Sequence, residues 1–89
     1  AMMLSDDVLS RYVGEYEEQP GFGISISKDG DQLLAQMTDQ AGVEIFAESE
    51  TEFFYRDTNT RISFRLGNEL VEALILHQGG VDLEMRRLD

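Results

Sequence analysis

Apolar and polar residues alternate with a period of two along most of this 89-residue chain, which is the pattern of half-buried β-strands. The clearest alternating runs are residues 22–26, 33–37, 62–66 and 81–86. Short turn sequences separate them, among them Asp29-Gly30 and Gly79-Gly80, which tolerate the positive φ that tight hairpin loops require. The pattern therefore predicts a protein built from β-hairpins.

Eight strands are predicted, at residues 12–17, 22–27, 32–37, 43–46, 52–56, 61–66, 69–77 and 81–86. Every connection is short, so successive strands should pair as antiparallel neighbours in an up-and-down meander. Closing that meander removes the two exposed edges that an open sheet would leave. We therefore predict an all-β fold, a small closed eight-stranded antiparallel up-and-down barrel that forms one domain over residues 1–89.

A short helix is predicted ahead of the first strand. Ser5 is a suitable N-cap, and Asp6 and Asp7 then face the positive end of the helix dipole. The helix should run for one to two turns and end before Gly14.

The stretch at residues 48–66 contains the most legible hairpin of the chain. Its first strand carries aromatic rings on both faces, so either Phe54 or the Phe53/Tyr55 pair needs cover from outside the sheet. We expect the N-terminal helix to supply that cover. In the returning strand the residues expected to point inward are Ile62, Phe64 and Leu66.

Composition and charge limit the possible partners. The net charge is −11, which argues against nucleic acid and against an anionic membrane surface. The charge is uneven, since residues 1–52 hold twelve acids and two cations, whereas residues 53–89 hold six acids and five cations. The chain has no cysteine and no apolar run long enough to span a membrane. Its first residues lack the features of a signal peptide, and Ala1 before Met2 resembles a tag remnant.

Two motifs suggest chemistry but fit it poorly. Ser25-Ile26-Ser27-Lys28 matches the Ser-x-x-Lys signature, which requires the lysine one helical turn from the serine. On a strand the two side chains lie ~10 Å apart and on opposite faces, so a solvated strand face is favoured. The acidic runs at residues 29–31 and 48–52 do not follow the spacing of a calcium loop, and the hairpin already explains Asp29-Gly30.

His77 is the only histidine, so no histidine-based metal cluster is possible, and any Ser-His-Asp set would have to use it. We expect it to hydrogen-bond the backbone at the end of its strand. A basic patch of arginines is a further candidate, and cross-strand pairing with Glu72, Asp82 or Glu84 is favoured over it. The arginines concerned are Arg61, Arg65, Arg86 and Arg87. We assign no catalytic, cofactor-binding or metal-binding residue.

Five segments, taken in order along the chain, resemble a known family. They are Leu9 with Tyr12-Val13-Gly14-Glu15-Tyr16, Gly30-Asp31-Gln32-Leu33, Ser49-Glu50-Thr51-Glu52-Phe53-Phe54, Ile62-Ser63-Phe64 and Leu76-His77-Gln78-Gly79-Gly80. Together they resemble the C-terminal lipocalin-like domain of unknown function found after the catalytic domain of bacterial serine β-lactamase-related hydrolases and peptidases. The resemblance implies a closed eight-stranded barrel with an accessory role, because that family's catalytic residues lie in the other domain.

Two functions follow as hypotheses. The first is a non-catalytic accessory domain that packs on or modulates a catalytic hydrolase domain, in cis or in trans, and is not itself an enzyme. The alternative is a free-standing lipocalin-like barrel that binds a small ligand, although the bulky inward residues favour a filled interior. A chain that starts at Met2 or Met3 would be cytoplasmic, and one excised from a secreted hydrolase would be periplasmic or extracellular. Exposure of both Phe54 and Leu74 would indicate a dimer.

Overall fold

The computed structural model describes residues 2–68 and 70–88, and the predicted closed barrel is confirmed. The elements are α1 (Asp6–Ser10), β1 (Gly14–Gln19), β2 (Phe22–Asp29), β3 (Gln32–Met37), β4 (Val43–Ala47), β5 (Glu52–Tyr55), β6 (Arg61–Gly67), β7 (Leu70–Gln78) and β8 (Val81–Arg87). Each strand pairs antiparallel with the next, and β8 pairs with β1 to close the barrel. No helix in the described part of the chain has the length and apolar character needed to cross a membrane.

The predicted helix forms as its sequence indicates. The Ser5 hydroxyl accepts a hydrogen bond from the backbone N–H of Val8 at 3.2 Å, and Asp6 and Asp7 occupy the first turn. Leu9 is buried in the core, so α1 lies across one end of the barrel. We call this the helix end; it also carries the β2–β3, β4–β5 and β6–β7 turns, and the opposite end carries the other four hairpin turns.

Side chains fill the barrel axis. Among the residues that are almost fully buried are Tyr12, Tyr16, Ile24, Ile26, Leu33, Ile45, Phe53, Ile62, Leu74, Leu76 and Met85. The ring of Tyr12 stacks on Phe64 with centroids 4.1 Å apart, and Phe53 meets both rings edge-on at 5.7 and 5.6 Å. The Tyr12 hydroxyl donates to the carbonyl of Glu50 at 2.5 Å, which joins this aromatic cluster to the β4–β5 turn.

The expectation that the helix covers the outer rings of β5 is wrong. Phe53 and Tyr55 face the interior, where the closed barrel itself buries or packs them. The ring of Phe54 lies on the outer surface beside Phe46 of β4, at a centroid distance of 5.8 Å, and the Arg56 guanidinium lies 4.0 Å from the Phe46 ring centroid. The closed barrel therefore covers the inward rings of β5, and the outward ring of Phe54 packs beside Phe46.

Two further expectations need correction. Leu66 is 39% exposed, because the pairing of β6 with β7 shifts register between Arg65 and Leu66 and the side-chain alternation is lost there. The first strand begins at Gly14 and not at Tyr12, which instead belongs to the buried connection after α1. The joint exposure of Phe54 and Leu74, which would indicate a dimer, is not observed, since Leu74 is buried on the inner face of β7.

Candidate functional site

The outer face of β5–β8 carries the most organised polar chemistry in the described part of the chain. Inward residues of these strands are apolar, so their alternate positions place charged and hydroxyl side chains in neighbouring rows on the surface. One row contains Arg61, His77 and Asp82, and the next contains Ser63 and Glu84. Cross-strand contacts on this face form two polar groups, one around His77 and one around Arg65.

The first group is a chain of two hydrogen bonds through His77. Its Nε2 lies 2.9 Å from the Ser63 hydroxyl, and its Nδ1 lies 2.8 Å from the carboxylate of Asp82. The expected backbone hydrogen bond of His77 is therefore wrong, since both ring nitrogens contact side chains. These three residue types, in this order of contact, are the arrangement of a Ser-His-Asp triad.

The second group surrounds Arg65. Its guanidinium donates to Glu72 at 3.0 Å and to both carboxylate oxygens of Glu84 at 3.2 and 2.9 Å. The hydrogen bond from Arg65 holds the pKa of Glu84 below its usual value, and the Glu84 and Glu72 carboxylates raise the pKa of Arg65. Glu72 thus points outward, and the predicted cross-strand pairing of this arginine is confirmed.

The remaining arginines have separate partners. Arg61 pairs with Glu48 at 3.3 Å and Glu52 at 3.6 Å, and not with the acids expected from the sequence. Arg87 donates to the backbone carbonyls of Arg11, Val13 and Val71 at 3.1, 2.7 and 3.4 Å. Because the arginines are dispersed among these partners, they do not form a common patch for a carboxylate or phosphate ligand.

The structure separates Ser25 from Lys28. The Ser25 hydroxyl donates to Glu15 at 2.5 Å, whereas the Lys28 ammonium donates to Asp6 at 2.5 Å and to the carbonyl of Gly30 at 3.2 Å. The hydrogen bond from Lys28 lowers the pKa of Asp6. Both residues lie on β2, and their partners account for their polar groups without a serine–lysine contact. Within residues 2–68 and 70–88, no group of three or more His, Asp or Glu side chains could hold a metal ion.

A cavity of about 260 Å³ lies at the helix end, under the first residues of the chain. Met2 bridges Ala47 by a backbone hydrogen bond of 3.0 Å, and the cavity continues down to Leu9, Leu33 and Phe53. Ligand pockets usually enclose ~300–1,000 Å³. This cavity falls below that range, and the barrel axis beneath it is occupied by core side chains. A shallower hollow of about 430 Å³, lined by Phe22, Ile24 and Met37 among others, falls within the range.

The Ser63–His77–Asp82 set was not predicted, although part of the signal is in the sequence. A two-residue Gly79-Gly80 loop pairs Gln78 with Val81, so His77 must face Asp82. The contact with Ser63 depends on the register of β6 against β7. The β6–β7 register shifts between Arg65 and Leu66, and the residue pattern of the sequence does not predict this shift.

Residues 4–88 match the protein family described as "Domain of unknown function (DUF3471)". The chain belongs to this family. A second comparison finds Penicillin-binding protein 4* of Bacillus subtilis (strain 168), which is 32% identical over 80 residues. That match covers 90% of this DUF3471 domain and only 18% of the relative, so the domain is similar to a small part of a larger penicillin-binding protein. The expected relation to β-lactamase-related proteins is thereby supported.

Proposed function

We propose that residues 1–89 form a single accessory domain that packs on the catalytic domain of a serine β-lactamase-related hydrolase and supports its activity. The observation that carries this proposal is the match to 18% of Penicillin-binding protein 4*, since most of that relative lies outside the matched part. A filled barrel axis agrees with an accessory role, because it leaves no deep central pocket for a substrate. With a net charge of −11, the domain is proposed to bind neither nucleic acid nor membrane.

The helix end offers the surface for such packing. Val13, Leu66 and Leu70 are 37%, 39% and 72% exposed, respectively, and we call these three residues the apolar rim. Arg87 holds them together, because its guanidinium binds the carbonyls of both Val13 and Val71, and Leu66 pairs with Val71. Exposed apolar side chains at one end of the barrel supply apolar area that a docking partner would bury. The occupant that we propose is the catalytic domain, which accounts for the larger part of the relative.

The small-ligand alternative has weaker support. It rests on the cavity of about 260 Å³ beneath Met2 and Met3, which core side chains close from below. Titration with a fluorescent apolar probe distinguishes the two functions. Saturable binding that is lost when Leu33 is replaced by Trp, with the fold retained, would favour the ligand function.

A graft tests the accessory role. The matched part of Penicillin-binding protein 4* is removed, and this chain is joined in its place. We expect removal to lower the thermal midpoint and the rate of labelling by a reporter penicillin, and the graft to restore both at least in part. Equal labelling and an equal midpoint with and without the matched part would overturn the proposal.

Two matched variants of the graft locate the docking surface. Leu70→Glu places a charge in the apolar rim and should abolish the restored stability. Val81→Glu is the control, because Val81 is 56% exposed at the opposite end of the barrel. If Val81→Glu is as harmful as Leu70→Glu, or if neither has an effect, the apolar rim is not the docking surface.

A further inference from the structure

We propose that Ser63 is an acyl-acceptor site, a serine whose hydroxyl is activated by His77 and Asp82 for covalent acylation by activated esters. This inference goes beyond the accessory role and does not depend on it. It rests on the hydrogen bonds of 2.9 Å from Ser63 to His77 and 2.8 Å from His77 to Asp82. A nucleophile in contact with a base that a third group orients is the signature of an activated nucleophile.

With a neutral imidazole, hydrogen-bond chemistry gives each of the two contacts one direction. An ionised carboxylate only accepts hydrogen bonds, so the Nδ1 that contacts Asp82 carries the proton. In a neutral imidazole the other nitrogen is then a lone-pair acceptor, so Nε2 must accept the hydrogen bond from the Ser63 hydroxyl. This is the tautomer in which histidine can remove the serine proton.

Paired strands hold the three groups in place. His77 lies directly opposite Asp82 in the β7–β8 pair, and Ser63 lies one diagonal step away in the β6–β7 pair. The three groups lie on β6, β7 and β8, whose opposite faces are anchored in the core by Ile62, Leu76 and Met85, respectively. Sites built on strands are positioned more accurately than sites on loops. The side chain of His77 is 34% exposed, which leaves the site open to an acyl donor from solvent.

The acylation step balances without a cofactor. The Ser63 oxygen attacks the ester carbonyl while its proton passes to Nε2 of His77, and Asp82 stabilises the resulting imidazolium. The bond between the acyl carbon and the leaving oxygen then breaks, and the leaving group takes the proton from His77. The products are an acyl-Ser63 ester and a free alcohol or phenol.

The class of ester that should react with Ser63 follows from the lack of an oxyanion-hole donor in the paired strands around it. The backbone N–H of a residue within a paired strand lies in the plane of the sheet, so it cannot donate to the oxyanion that forms on the carbonyl oxygen of an ester bound above Ser63. Loss of a single oxyanion donor costs a hydrolase ~10²–10³ in rate. The site should therefore react with esters that carry a good leaving group, such as aryl esters, and not with amides, and it should be acylated without efficient turnover.

The test treats the full 89-residue chain with p-nitrophenyl acetate and maps the acetylated residues by peptide mass spectrometry. Ser27 is the internal control, because it is an exposed serine on the outer face of β2 with no histidine opposite it in the β1–β2 and β2–β3 pairs. We expect acetylation of Ser63 to be about 100-fold faster than that of Ser27, as general-base assistance typically contributes. Asp82→Asn should lower the Ser63 rate about tenfold, and His77→Gln should lower it to the Ser27 rate.

A second measurement separates activated serine from reactive imidazole. A fluorophosphonate probe, which labels activated serines, should label the wild-type chain but not Ser63→Ala. Thermal midpoints of all variants confirm that each is folded. The proposal is overturned if Ser63 and Ser27 are acetylated at equal rates, or if p-nitrophenol release persists in Ser63→Ala and disappears only in His77→Gln.

Discussion

Arg87 helps to close the barrel, and its replacement should destabilise the fold. In the described part of the chain, the β1–β8 seam pairs Tyr16 with Arg87 and Glu17 with Arg86, and the N–H of Leu88 donates to the carbonyl of Glu15 at 2.8 Å. Arg87 adds two hydrogen bonds across this seam, to the carbonyls of Arg11 and Val13, and a third to the carbonyl of Val71 on the neighbouring strand β7. A Cβ at Gly14 would lie 3.1 Å from the Arg87 Nε, so the glycine leaves room for the guanidinium.

The expected magnitude follows from these contacts. Hydrogen bonds to a charged group contribute ~1.5–3 kcal/mol each when buried, and Arg87 is only half-buried, so we expect Arg87→Met to cost about 2–3 kcal/mol in total. Domains of this size are stable by ~5–10 kcal/mol, so the loss is a large fraction of the free energy of unfolding. The thermal midpoint should fall by roughly 10–20 °C.

The assay is equilibrium unfolding in urea, with Arg86→Met as the matched control. Arg86 neighbours Arg87 and is exposed, so its replacement should change the free energy of unfolding by ~0.5 kcal/mol or less. Amide hydrogen exchange should accelerate at residues 13–17 in Arg87→Met alone. Equal stability of the two variants would refute the reasoning that Arg87 holds the seam.

Three other predictions concern the core. Gly23→Ala should lower the free energy of unfolding by about 2–3 kcal/mol or more, because the added Cβ would collide with the Tyr16 carbonyl oxygen. Gly42→Ala should leave stability unchanged, since the nearest atom to a Cβ at Gly42 is 3.9 Å away. Chemical denaturation of both variants compares the two effects. Burial raises the pKa of Tyr16 to about 12, so the contribution of Tyr16 to stability should be fully present below pH 10 and fall by roughly 2–3 kcal/mol as the pH rises to 12, with Tyr16→Phe reducing this dependence. Tyr12→Phe should cost about 1 kcal/mol by leaving the Glu50 carbonyl without its donor.

Each of these has a clear contrary result. Equal stability of the two glycine variants would show that β1 can move away from β2 without cost. Absorbance titration gives an independent check on the tyrosines, because burial raises the pKa of all three, Tyr12, Tyr16 and Tyr55. A tyrosine that ionises with a midpoint near pH 10 in the folded protein would contradict the expected rise in its pKa. A Tyr12→Phe variant as stable as the wild type would mean that water replaces the hydroxyl.

Residue periodicity was enough to predict the strand number, the topology and most of the core. The alternation in β2, β3 and β6 marks Ile24, Ile26, Leu33, Ala35, Ile62 and Phe64 as inward residues, and all are buried. Alternation fails where the backbone is irregular, and Leu66 lies beyond such a point. The role of α1 was also missed, because Leu9 and the connecting Tyr12 fill the barrel end, and their burial depends on tertiary packing and not on local pattern.

The polar face was harder to predict than the core. Opposite charges on neighbouring strands have several possible pairings, and the choice between Glu72, Glu84 and Glu52 for each arginine depends on register and side-chain length. Only the His77–Asp82 contact was fixed by a local loop. Sequence therefore indicates which residues lie on this face, and the structure determines which of them touch.

The central claim is that this domain packs on a catalytic domain through its apolar rim. Amide hydrogen exchange of the β6–β7 turn tests it most directly, measured in the free 89-residue chain and in the graft on Penicillin-binding protein 4*. The β7–β8 turn at Gly79-Gly80, at the opposite end of the barrel, is the internal control. We predict slower exchange in the graft at the β6–β7 turn and unchanged exchange at the control turn. Equal exchange at the β6–β7 turn in both proteins would contradict the claim.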